Sequence, residues 1–127
     1  MKTKYAVALA LLVGIGIGAT VMQLLHMRKK SVVYFIAENE VTDPEGYRTQ
    51  YLPTAQKLLK EHGARYLAQG KATQFAGDPP KGRVVILEWD SMEQARGWFE
   101  SPEYQATRKI GEQFAKYRNF AIEGDAP

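Results

Sequence analysis

From residue 32 onward the chain alternates between contiguous apolar runs and stretches of helical spacing. Val32-Val33-Tyr34-Phe35-Ile36-Ala37 is β-branched and aromatic without alternation, which predicts a strand buried on both faces. Asp43 then serves as an N-cap with Pro44 at the first helical position, and Tyr47, Tyr51, Ala55, Leu58 and Leu59 trace an inner stripe. Pro53 predicts a kink in that helix, and Gly63 suits its C-terminal stop. Ala64 to Phe75 reads as a weaker edge strand, followed by the turn Gly77-Asp78-Pro79-Pro80-Lys81-Gly82 and a second apolar strand, Arg83 to Trp89. Ser91 with Gln94 forms a capping box before Met92, Ala95, Trp98 and Phe99. Ser101-Pro102-Glu103 restarts a helix with Tyr104, Ile110 and Phe114 inward, and Asn119 to Ile122 closes the chain as a last strand.

The order is therefore βαββαβ, which with right-handed crossovers predicts an α+β, ferredoxin-like sheet of strand order 4-1-3-2 with its helices on one face. Helices on one face leave the other side of the central strands, also apolar, open to water. A second copy of the chain is the simplest cover, so the pattern predicts a homodimer in which two sheets pack face to face as an α/β barrel.

Residues 1–30 read differently. Tyr5 to Leu25 is interrupted only by Thr20 and Gln23 and, at 1.5 Å per residue, makes about 30 Å of helix, enough to span a bilayer. Two readings stay open. Lys2 and Lys4, an apolar Ala6–Val13 and Ile17-Gly18-Ala19 resemble a cleavable signal; the length of the apolar stretch and its ending in Arg28-Lys29-Lys30 resemble an uncleaved anchor. The signal and an anchor with its amino terminus inside both deliver the following domain to the extracytoplasmic side or the periplasm, while the amino terminus with Lys2 and Lys4 matches the charge of Arg28-Lys29-Lys30 and leaves the orientation open. Ala6, Ala10, Gly14 and Gly18 recur every four residues, a spacing that suits close pairing of membrane helices and is also common in apolar segments generally. Gly14-Ile-Gly16-Ile-Gly18-Ala19 fits a dinucleotide fingerprint by spacing alone, because the βα repeats such a fold needs do not follow.

Charge changes the picture only once it is divided. The chain of 127 residues carries +3, which invites a nucleic-acid reading, but residues 1–30 hold five basic and no acidic side chains. Residues 31–127 hold 12 basic against 14 acidic ones, a balance of −2, so the basicity belongs to the membrane-facing leader and no nucleic-acid partner is expected. The absence of cysteine removes disulfides, thiolate metal sites and a cysteine nucleophile.

Tyr34-Phe35-Ile36-Ala37-Glu38 leading into Thr42-Asp43-Pro44-Glu45-Gly46-Tyr47, then Glu61-His62-Gly63-Ala64-Arg65-Tyr66, Val85-Ile86-Leu87-Glu88-Trp89 with Ser91-Met92-Glu93-Gln94-Ala95, and Ser101-Pro102-Glu103-Tyr104 together resemble the bacterial domain-of-unknown-function family 1330. The resemblance covers nearly all of 32–124. It implies the dimeric α/β-barrel superfamily and an N-terminal signal sequence, while His26-Met27-Arg28-Lys29-Lys30 stands where such members often show an Ala-x-Ala-like site. It implies no agreed reaction and no catalytic residue.

Candidate chemistry follows from topology. Glu38 and Glu40 are expected at one rim of the sheet and Glu88 at the other, roughly 20 Å away, too far for a glycosidase-like carboxylate pair. The first helix returns His62 to the rim of Glu88, where Arg65 and Tyr66 open the second strand. His62, Arg65 and Glu88 are thus the candidate catalytic group, with His62 as acid or base, Glu88 orienting it and Arg65 holding an anion, walled by Tyr34, Tyr66, Trp89 and Trp98 as candidate ligand-binding residues. The structural alternative is a helix-terminal histidine beside an Arg65–Glu88 ion pair. Asn39 with tyrosines and tryptophans could instead line an apolar cleft of the kind cofactor-independent monooxygenases of that superfamily use, although aromatics at helical and strand spacing more often form a core. The two histidines, His26 and His62, have no metal-ligand spacing, so no metal and no cofactor are expected. Three functional readings result: a membrane-anchored or exported homodimer binding a small, partly apolar ligand; a monooxygenase-like or isomerase-like enzyme using the His62/Arg65/Glu88 rim; and a purely structural partner domain.

Overall fold

A computed structural model describes residues 31–125. The expected N-terminal apolar helix, its small-residue stripe and the cleavage region all fall in 1–30, outside the described residues. Among the described residues no helix is long and apolar enough to cross a membrane.

Four antiparallel strands form one sheet: β1 (Val33–Val41), β2 (Arg65–Lys71), β3 (Arg83–Trp89) and β4 (Ala115–Glu123), in the order β2-β3-β1-β4. This is the 4-1-3-2 order that the hydrophobic pattern implies. The helices are α1, a single run made of Pro44–Gly46, a π-helical turn Tyr47–Tyr51 and Leu52–Glu61; α2 (Met92–Phe99); and α3 (Pro102–Gly111).

The local signals explain most element ends. Asp43 accepts a hydrogen bond from the Gly46 N–H (3.1 Å), Ser91 from Gln94 N–H (3.1 Å) and Ser101 from Tyr104 N–H (3.2 Å), so each helix starts at a side-chain cap. Gln94 reaches back one residue further than a capping box requires: its Oε1 accepts from the Asp90 N–H and its Nε2 donates to the His62 carbonyl, tying α2 to the end of α1. Gly63 closes α1 with φ +88°, a conformation that L side chains rarely adopt. The expected kink at Pro53 takes the form of the π turn. Proline lacks an N–H and its ring crowds the carbonyl four residues back, and the wider turn before it, with Leu52 N–H donating to the Tyr47 carbonyl, relieves that conflict.

Strand parity divides the sheet. In register, Val33 pairs with Trp89, Phe35 with Leu87, and Ala37 with Val85, and these odd-numbered positions meet Leu58, Leu59, Ala95, Trp98 and Tyr104 from the helices in one core. Trp89 is fully buried, and Trp98 packs edge-on to Phe35 (5.3 Å) and 4.2 Å from Tyr104. The even-numbered positions, Tyr34, Ile36, Val84 and Ile86, point away from the helices and are half-buried.

Four expectations are corrected. β1 continues through Glu38-Asn39-Glu40 to Val41, so Glu38 sits mid-strand, its buried carboxylate 3.2 Å from Arg118, and not at a rim. β4 begins at Ala115, because pairing with β1 carries the alternating polar stretch Lys116-Tyr117-Arg118-Asn119 that sequence hydropathy alone does not mark. β2 ends at Lys71 and Phe75 is exposed. Ile110 faces solvent, while Thr107 and Gly111 occupy the inner face of α3.

Candidate functional site

The sheet register sets up four rows on the helix-covered side. Trp89, Val33 and Glu123 form the first, Tyr66, Leu87, Phe35 and Ala121 the second, Gln69, Val85, Ala37 and Asn119 the third, and Lys71, Arg83, Asn39 and Tyr117 the fourth. On the central strands β1 and β3 the side chains of this face thus change from apolar to polar in one direction. A cavity of about 460 Å³ lies between α1 and the sheet.

Its deep wall is Phe35, Ala55, Leu59, Leu87, Trp98 and Tyr104, all buried. Its mouth lies between α1 and the edge strand β2, where Arg48, Gln56, Tyr66, Gln69 and Arg83 are exposed. Predominantly apolar walls with a few polar groups at one end are the usual make-up of a small-molecule pocket, and this volume falls within the usual range of about 300–1,000 Å³.

Tyrosines supply most of the polar character. The π turn presents Tyr47 and Tyr51 together, their rings 5.0 Å apart, and Tyr117 from β4 stacks 5.6 Å from Tyr51. Asn39 Nδ2 donates to the Tyr47 hydroxyl at 3.3 Å, and the Tyr51 and Tyr104 hydroxyls share a hydrogen bond of 3.0 Å. Glycine at position 111 makes room for this cluster, since a Cβ there would overlap the Tyr117 hydroxyl and the Tyr51 ring. The Tyr117 hydroxyl is buried without a hydrogen-bond partner among the described residues. Burial pushes the Tyr47 phenol up to about 12 and raises Tyr51, Tyr104 and Tyr117 as well, so at neutral pH these groups are proton-bearing.

The rim group inferred from the sequence is arranged otherwise. Arg65 binds Glu88 through Nε (2.9 Å) and Nη2 (2.8 Å), and adds Asp90 at 2.9 Å. Glu88 belongs to the even positions of β3 and pairs across the open face with Tyr34, whereas His62 ends α1 in the helical layer. No hydrogen bond joins the His62 imidazole to Glu88 among the described residues, and none of His62, Arg65 and Glu88 lines the cavity. Between these layers stands Trp89, wholly buried core. Of the four expected wall residues, Tyr66 and Trp98 line the cavity, while Tyr34 lies on the open face and Trp89 in the core. Asn39 lines it as the apolar-cleft alternative has it. Tyr47, Arg83, Tyr117 and Asn119 are among the lining residues that sequence reasoning missed. Parity would have marked three of them, since Arg83, Tyr117 and Asn119 are polar positions on the face that carries the core. Among the described residues no three His, Asp or Glu side chains converge as a metal site.

Residues 32–125 match the family described as Domain of unknown function (DUF1330). No curated protein matches the chain. Among solved structures, a protein of unknown function from Rhodopseudomonas palustris is 15% identical, with 83% of this chain and 94% of that chain covered and a TM-score of 0.60. SnoaB, a cofactor-independent oxygenase from Streptomyces nogalater, is 12% identical, with 76% and 96% covered and a TM-score of 0.55. A dimeric protein of unknown function and ferredoxin-like fold from Bacteroides fragilis is 16% identical, with 73% and 96% covered and a TM-score of 0.51. At these identities the likeness is one of fold.

Proposed function

The chain belongs to the DUF1330 family, and on that premise we propose that it is a homodimer whose helix-covered cavity binds a small, partly apolar molecule on the extracytoplasmic side of a membrane. The observation that carries the binding reading is the cavity itself: about 460 Å³, with a buried aromatic and aliphatic wall and a polar mouth. A packed core of this size leaves no such space, because interiors are close-packed.

Dimerisation draws on the other face of the sheet. Phe120 is 45% and Ile122 60% exposed beside Ile36, Val84 and Ile86, an apolar surface that a second sheet would cover. The Bacteroides fragilis protein of this fold is described as dimeric. The address rests on the apolar run from Tyr5 to Leu25 with its basic flanks.

An enzymatic reading draws on the SnoaB-like architecture, but the groups in the cavity favour binding. Its protic side chains are phenols, amides, arginines and the Trp98 indole, none of which accepts a proton from carbon at neutral pH. The test is a titration of the protein with 2-naphthalenemethanol, followed by calorimetry. Saturable binding is expected, and Ala55→Leu, which fills the deep wall, should abolish it. Binding that Ala55→Leu leaves unchanged would put the ligand elsewhere.

A further inference from the structure

The charge balance at the cavity mouth narrows the chemistry of the ligand. Among the described residues that line the cavity, the charged side chains are two guanidinium groups, Arg48 and Arg83, and there is no carboxylate. Arg48 is already engaged, with its Nη2 2.8 Å from Glu45. Arg83 makes no ion pair among the described residues. It stands in the polar row opposite Asn39, on the cavity side of β3 by register. The Tyr47 hydroxyl accepts from Asn39 and so keeps its own hydrogen for another partner. Two donors, one of them a permanent positive charge, therefore meet at the open end of a pocket whose far wall is Leu59, Leu87 and Trp98. A cationic ligand would find no counter-charge here, and a wholly apolar one would desolvate these donors without replacing their water.

We infer that the cavity takes an amphipathic carboxylate, with its apolar or aromatic body against Trp98 and Leu87 and its carboxylate on Arg83, the Tyr47 hydroxyl being the second donor. A planar carboxylate matches the fork of a guanidinium, which binds it through two parallel hydrogen bonds. This inference rests on the binding role proposed for the cavity and adds the sign and position of the ligand's charge.

The full-length protein separates the two ideas in one calorimetric series with 2-naphthoate, 2-naphthalenemethanol and 2-naphthylmethylamine, which share a ring system and differ in charge. The carboxylate is expected to bind about tenfold more tightly than the alcohol, the amine more weakly than either. Arg83→Gln should erase the gap between carboxylate and alcohol, and Arg83→Lys, which keeps the charge and loses the fork, should retain part of it. Equal binding of carboxylate and alcohol by the unaltered protein overturns the inference, as does a preference that survives Arg83→Gln; in both cases the cavity remains a binding site. Failure of all three compounds to bind overturns the cavity reading itself and this inference with it.

Discussion

The two faces of the central strands are made from the same segments and reach opposite ends. On β1 and β3 the odd positions Val33, Phe35, Leu87 and Trp89 are sealed under the helices, while the even positions Tyr34, Ile36, Val84 and Ile86, equally apolar, remain half-buried. The sealed face is also the one that carries a gradient, from Trp89 at one end to Arg83, Asn39 and Tyr117 at the other, and the cavity opens where the gradient turns polar. The open face has its charges at its margins, Arg65–Glu88 towards one end and Glu38–Arg118 towards the other, with hydrocarbon between them. One face is built to hold itself together and leave a defined space. The other leaves an apolar surface open, with Phe120 and Ile122 exposed.

The sharpest way to break that contrast is a large-to-small change on the sealed face. Trp89→Ala removes a wholly buried indole from the core and should lower stability by about 3–5 kcal/mol in chemical denaturation. A loss below about 1 kcal/mol would mean that this end is not the anchor of the fold. On the open face, Ile36→Asp should leave the fold intact yet weaken self-association by at least about 30-fold, a cost of roughly 2 kcal/mol for burying an unpaired charge, read by sedimentation. A dimer of unaltered strength would remove this face as the interface. The smallest expected effect concerns the phenols at the cavity. Their folded pKa values lie above the usual tyrosine value, so their contribution is present in full below about pH 10 and is lost as pH rises towards the folded values, because the unfolded chain ionises first. Stability should therefore fall above pH 10, and Tyr47→Phe should make that fall shallower by no more than about 1 kcal/mol at pH 11. A pH profile identical to that of the unaltered protein would place Tyr47 in open solvent.

Much of the fold was legible because its signals are local. Arg83–Trp89 has the same limits in the structure as in the hydrophobic pattern, and Asp43, Ser91 and Ser101 each cap the helix that they mark. The polar ends of β1 and β4 were not legible, since Glu38-Asn39-Glu40 and Lys116 to Asn119 are extended because they pair with each other, a fact of register and not of composition. The same limit hid the site. Asn39, Tyr47, Arg83 and Tyr117 come from four different elements, and no spacing along the chain joins them. His62, the one histidine of residues 31–127, has neighbours in sequence that suggest a constellation, and strand parity divides it between two layers.

The π turn at Tyr47–Tyr51 gives the cavity an unusual kind of sensitivity. Such a turn holds one residue more than the α-helical turn that it replaces, and each residue of an α-helix advances the chain by about 100°. The capped start at Asp43 and the buried stripe Ala55-Leu58-Leu59 are therefore out of phase with each other by one residue, and Tyr47 and Tyr51 occupy the offset. Changes of side chain in this segment would tune the pocket by degrees. Loss or gain of a single codon would act like turning a key, swinging the tyrosines around the helix axis while every residue of the sheet stayed where it was.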